Sequence, residues 1–162
     1  MKKYLLILLL ICSSCINHKF ERAIVKLEPV KGSKISGIVI LTQEKGGVAL
    51  NGEFKNLYSK NHALHIHKYG DVTKDDGSGT GPHYYGHNYH EGNKILGNLG
   101  SVPRKKINMT KYKNFFEGLT IDKIIGRSMV IHAKKGSKKY SKFINSGKRV
   151  ATGVIGVASH DN

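Results

Sequence analysis

A chain of 162 residues, 39 % of them hydrophobic, is long enough for one domain with a real core and too short for several. Nineteen glycines, eight tyrosines and no tryptophan fit many turns rather than long helices, and the only cysteines, Cys12 and Cys15, exclude a disulfide framework in the domain itself. With 27 Lys and Arg against 11 Asp and Glu, the formal charge is +16, which fits an anionic partner and excludes an acidic, solvating chain.

The first fourteen residues read as an export signal. Lys2 and Lys3 precede an apolar run, residues 5–11, that is short for a permanent membrane helix. Ser13 and Ser14 stand directly before Cys15, as at a bacterial lipoprotein cleavage site, although Cys12 takes the place where an aliphatic residue is usual. Two processing routes fit: lipoprotein-type cleavage before Cys15, or an ordinary secretory cut elsewhere. On the first route a lipidated Cys15 would attach the chain to a membrane, making a bacterial protein periplasmic or membrane-anchored. On both routes the chain is exported. Residues 15–21 read as a tether and 22–162 as the folded domain.

Ala23, Val25 and Leu27 alternate with polar residues and predict a first strand ending near Pro29. A turn follows at Lys31–Lys34, then a strongly β-forming stretch at Ser36–Thr42. Gln43–Gly47 is a hairpin signal. Val48, Leu50 and Phe54 continue a third strand, which Asn51–Gly52 is expected to interrupt. Asn56–Asn61 reads as a connection and Leu64–Tyr69 as a fourth strand. Gly70–Asn98 has little periodicity, and a loop of that length inside a compact domain is usually functional. Ile107 and Met109 predict another strand, and Phe115–Leu119 reads as strand or irregular structure. Ser128–Ala133 is a strand with Met129 and Ile131 on one face and Val130 and His132 on the other. Gly136–Gly147 is a polar loop, and Val150–Ala158 is a glycine-punctuated final strand. About eight short strands and no long amphipathic helix make an all-β antiparallel sandwich or barrel.

Five of the nine histidines fall between Ala63 and His90. His65 and His67 are two apart in an apolar stretch, so on a strand they share a face. Leu64 and Ile66 then enter the core, and both imidazoles face outward. Two neutral imidazoles a few ångströms apart form half of a first-row metal site. His83 follows in Gly79–His83, where glycine and proline fold the loop back. A lone histidine is more often a solvated or core residue, but three so arranged point to a site. The lysines are spread along the sequence and read as a solvated face. No nucleic-acid recognition motif or basic–aromatic alternation is present, so nucleic acid is not expected as a partner.

Taken in order, Leu64–Asp71, Gly79–Tyr84, Leu96–Ser101, Ile124–Ala133 and Gly147–Ala158 resemble the copper/zinc superoxide dismutase family. The likeness covers most of the chain from about Ala23 to Ala158. It implies an eight-stranded antiparallel Greek-key β-barrel and the disproportionation of superoxide anion to oxygen and hydrogen peroxide. It implies copper ligands at His65, His67, His83 and His132, with His83 bridging to zinc in members that hold both metals. Arg149 matches the arginine that guides the anion beside copper, and His83 is the implied proton donor.

The zinc half departs from the family pattern. Asn98 stands where the family has its zinc aspartate, and Ile95 stands at or near a zinc histidine. Only one further histidine, His87 or His90, can be placed. His83, His87 and His90 are thus the residual zinc-side candidates, and plain loop polarity is the other reading of the last two. No acid occurs between His132 and His160, and Thr152 occupies the usual cysteine of the final strand. An amide and an aliphatic chain cannot replace a carboxylate and an imidazole on zinc. Zinc is therefore expected to bind weakly or not at all, as in copper-only members. Two functions remain: an exported copper-dependent superoxide dismutase of antioxidant defence, and a catalytically weak relative that binds copper or serves as an interaction domain.

Overall fold

The computed structural model describes residues 20–86, 95–106, 108–134 and 146–159. Alternation builds the wall of the barrel. In β1 (Arg22–Pro29), Ala23, Val25 and Leu27 are buried and the residues between them are not. In β2 (Ser36–Glu44), Val39 and Leu41 point inward, and in β3 (Gly47–Lys55), Val48, Leu50 and Phe54 do so. Each such side chain contributes about 1.5–3 kcal/mol by leaving water.

The remaining strands are β4 (Asn61–His67), β5 (Asn98–Pro103), β6 (Met109–Glu117), β7 (Ser128–His132), β8 (Arg149–Val154) and the two-residue β9 (Gly156–Val157). Eight of them form antiparallel neighbours in the order β5-β4-β7-β8-β1-β2-β3-β6, with β9 added against β1. The chain leaves β3 and crosses one end of the barrel through residues 56–60 to reach β4, which is not its neighbour. Residues 118–127 make a second crossing from β6 to β7. These crossings give the Greek-key connectivity expected from the family likeness. The outer strands β5 and β6 approach each other, and Tyr112 Oη donates to Leu99 O at 3.3 Å across the gap. Among the described residues there is no α-helix, only 3₁₀ turns at Ser78–Thr80 and Ile121–Lys123.

Four expectations change. Asn51–Gly52 does not interrupt β3: Asn51 pairs with Ile40 and Gly52 with Val39 in unbroken register. The glycine is needed for packing, since a Cβ there would lie 2.6 Å from the Phe54 ring. Met109 opens a single strand that runs through Phe115 to Glu117, pairing along the whole of β3. Ile107 lies outside the described residues. The stretch Asn98–Pro103, assigned no strand from sequence, pairs with β4 through Asn61↔Pro103 to His65↔Asn98. The final strand breaks at Ile155, whose N–H bonds to Arg127 O, and β9 then moves across to β1.

Candidate metal centre

β4 and β7 pair with Leu64 opposite Ile131, His65 opposite Val130 and His67 opposite Ser128. Residues directly opposite share a face. Leu64, Ile66, Met129 and Ile131 therefore enter the core, and His65, His67 and His132 lie together on the other side. The imidazoles are not solvent-facing as expected. His65 is 0 % and His67 1 % exposed, because the loop after β4 folds back over them. Lys68 N bonds to Pro82 O and Tyr84 N to Ile66 O, which lays His83 beside His67 as one more antiparallel bridge.

A register shift then places Arg149. Ile131 pairs with Ala151, but His132 pairs with Arg149, so Val150 is skipped and stays in the core. Bulges of this kind re-aim side chains beside active sites. Arg149 thereby joins the histidine face. Its Nε donates to Thr80 Oγ1 at 3.1 Å and its Nη2 to Gly81 O at 2.8 Å. The same two groups contact His67 Nδ1, at 3.3 and 2.7 Å.

The donor atoms of His65, His67, His83 and His132 all lie within 4.8 Å of one another. Carbonyls only accept, so His67 Nδ1 and His132 Nδ1 must each carry their proton toward Gly81 O and Gly147 O. Both Nε2 atoms are then lone-pair acceptors, and they face each other at 3.2 Å. No proton remains to sit between them. A cation turns that repulsion into two bonds, and two ligands about 2 Å from one ion would be about this far apart. His65 adds a second imbalance: neither of its ring nitrogens has a hydrogen-bond partner among the described residues, though both are buried. Unpaired buried polar atoms are costly. The donor set fits a metal ion.

Electrostatics agree. Burial, reinforced by the neighbouring imidazoles, lowers the pKa of His65 to about 2. Burial, partly offset by the Gly81 carbonyl, lowers His67 to about 3. Burial, partly offset by the Gly147 carbonyl, lowers His132 to about 4. His83 is lowered by burial and by the Arg149 charge. All four stay neutral at ordinary pH, with lone pairs available for a metal.

One residue was missed in the sequence. His62 is fully buried; its Nδ1 donates to His132 O at 2.7 Å and its Nε2 accepts from Ser59 N at 3.1 Å. It holds the backbone of His132 from behind. Only the pairing of β4 with β7 reveals this; a lone histidine after an asparagine carries no signal. On the zinc side, Asn98 Oδ1 accepts from Gly100 N at 3.0 Å and Ile95 is buried. His87 and His90 lie outside the described residues, as do Cys12 and Cys15.

Residues 35–155 match the family described as copper/zinc superoxide dismutase. A superoxide dismutase [Cu-Zn] of Onchocerca volvulus is 32 % identical over 149 residues, covering 80 % of this chain and 94 % of its own. An extracellular superoxide dismutase [Cu-Zn] of Brugia pahangi is 30 % identical over 158 residues, covering 87 % of this chain and 78 % of its own. Another of the same description from Haemonchus contortus is 32 % identical over 163 residues, covering 88 % and 87 %.

Proposed function

The chain belongs to the copper/zinc superoxide dismutase family, and from that premise we propose that it disproportionates superoxide at a copper ion held by His65, His67, His83 and His132. The carrying observation is the His67–His132 pair, two lone-pair nitrogens facing each other at 3.2 Å with their protons turned away. Imidazole donors suit several first-row metals. Family membership and a donor set without thiolate or carboxylate favour copper. Bound there, copper supplies the one-electron couple by which one superoxide is oxidised to oxygen and a second, with two protons, is reduced to hydrogen peroxide.

The chain's own residues do the rest. Arg149 is fixed by Thr80 and Gly81, so its positive charge sits beside the imidazoles and attracts the anionic substrate. His83 is the least buried of the four, which suits it to give one ring proton to the reduced product and regain it from solvent. The second proton comes from water.

Zinc is not a structural partner in this reading. Asn98 spends its side-chain oxygen on Gly100 N, and Ile95 offers no donor. The two extracellular relatives and the basic-then-apolar N-terminus support an exported protein in antioxidant defence, with Cys15 as the lipidation site. Metal analysis after loading with copper and zinc together tests the metal assignment. One copper and no zinc per chain is expected; zinc bound at one per chain overturns it.

A further inference from the structure

Arg127 ends the second crossing, one residue before β7 opens. Its backbone is held on both sides: its N donates to Ile124 O at 3.1 Å and its O accepts from Ile155 N at 2.8 Å. Its side chain is fixed at the near end, where Nε donates to Lys123 O at 2.8 Å. From there the guanidinium reaches the chain that carries the histidines. Nη1 donates to Lys68 O at 2.8 Å, and Cζ stands 4.0 Å from the centre of the Tyr84 ring.

Those two contacts fall on different segments. Lys68 directly follows His67, and Tyr84 directly follows His83. The segments meet as a short antiparallel bridge, with Lys68 N on Pro82 O and Tyr84 N on Ile66 O, both at 2.8 Å. The ring centres of His67 and His83 are 4.8 Å apart across it. Arg127 brackets this bridge from outside. The residues beside it grip the His67 side: Ser128 Oγ donates to Tyr69 O at 2.7 Å, and Gly126 O leaves no room for a Cβ at Gly70. Tyr84 is buried in the core and Arg127 is half-buried, so the contact between them is shielded from water and stronger than an exposed one. Lysine could not replace it. An ammonium is a point charge, whereas the planar fork stacks on a ring and donates from its edge at the same time.

We propose that Arg127 is a positioning residue for the metal centre, holding the His67 and His83 segments, through Lys68 and Tyr84, at the separation that one ion needs. This rests on the reading that the four histidines hold copper, and adds to it the device that keeps the His83 arm closed. That arm is the one in need of it. His65 and His67 lie within β4 and His132 ends β7, whereas His83 follows a loop and joins the sheet through an isolated bridge. The competing role is bracing of the crossing alone, which the bond from Nε to Lys123 O already provides.

The test is amide hydrogen exchange of the full metal-free chain, followed by copper binding on the same variants. Arg127→Met removes the fork and keeps an apolar stem. Ile121→Val trims a buried side chain elsewhere in the crossing, on a residue whose N–H donates to Gln43 of β2, and controls for a general loss of stability. In Arg127→Met the Lys68 and Tyr84 amides should exchange at least about tenfold faster than in the wild type. Amides of β1 and β2 should stay slow, showing that the variant is folded, and Arg127→Lys should not restore the Lys68 and Tyr84 amides. Loaded with copper, Arg127→Met should bind the ion about fivefold or more weakly and shift the Cu(II) paramagnetic resonance spectrum, while Ile121→Val does neither. Exchange at Lys68 and Tyr84 that rises no more in Arg127→Met than in Ile121→Val overturns the proposal. So does full restoration by Arg127→Lys, or a copper affinity and spectrum unchanged in Arg127→Met. A wild type that binds no copper refutes the metal reading instead, and the exchange rates of the metal-free chain still decide whether Arg127 holds the two segments.

Discussion

His67 and Arg149 hang from a single carbonyl: Gly81 O accepts from His67 Nδ1 at 2.7 Å and from Arg149 Nη2 at 2.8 Å. One loop atom thereby fixes an imidazole of the four-histidine cluster and the Arg149 guanidinium relative to each other. It also fixes the tautomer that leaves the His67 Nε2 lone pair free.

Gly81 itself is therefore a sensitive position. Its φ of 71° and ψ of −156° lie in a region essentially reserved for glycine. A Cβ there would also lie 2.5 Å from the Tyr69 ring. Gly81→Ala should cost about 1–3 kcal/mol of stability and should lower copper affinity and superoxide turnover together. Thermal unfolding and copper titration check this; an unchanged melting temperature with unchanged copper affinity contradicts it.

Thr80 bears more closely on Arg149 than on His67, whose Nδ1 lies 3.3 Å from the Thr80 hydroxyl and has the nearer Gly81 carbonyl at 2.7 Å. The buried hydroxyl donates to Gly77 O at 2.8 Å and accepts from Arg149 Nε at 3.1 Å. Thr80→Val keeps the shape and removes both bonds, at a cost of about 1–3 kcal/mol. The rate per bound copper should fall more than copper affinity does, and Thr80→Ser should restore it. A serine variant as impaired as the valine one shows that the hydroxyl is not the cause.

His62 supports His132 from the far side of the strand. His62→Leu removes the donor to His132 O and the acceptor for Ser59 N, each at a cost of about 1–3 kcal/mol. For a domain of this size the melting temperature should drop by at least about 2–4 °C, with weaker copper retention. His62→Gln, which offers a donor and an acceptor, should lose less. Equal losses in both variants would assign the effect to ring packing against Tyr58 instead.

How much of this was legible beforehand varied by residue. The His65–His67 spacing and the alternation of Met129 and Ile131 with Val130 and His132 were readable because strand period alone fixes the faces. The burial of those imidazoles was not, because it depends on where the chain between β4 and His83 folds back. β6 was blurred because only Thr110 and Phe116 in it are buried; its identity comes from pairing with β3. β5 was lost because Gly97 and Gly100 interrupt any alternation in Asn98–Pro103. The position of Arg149 came from the family likeness, while the skipped Val150 that puts it on the histidine face has no sequence signature.

The most direct test of the central claim is the superoxide decay rate measured against bound copper, in the wild type and in His132→Ala, with copper content determined on the same samples. Met129 and Ile131 carry the buried face of β7, so the variant should remain folded, as circular dichroism will show. The account predicts a wild-type rate proportional to copper up to one ion per chain and almost none in the variant. A wild-type rate that ignores copper content, or a folded variant with undiminished activity, would contradict it.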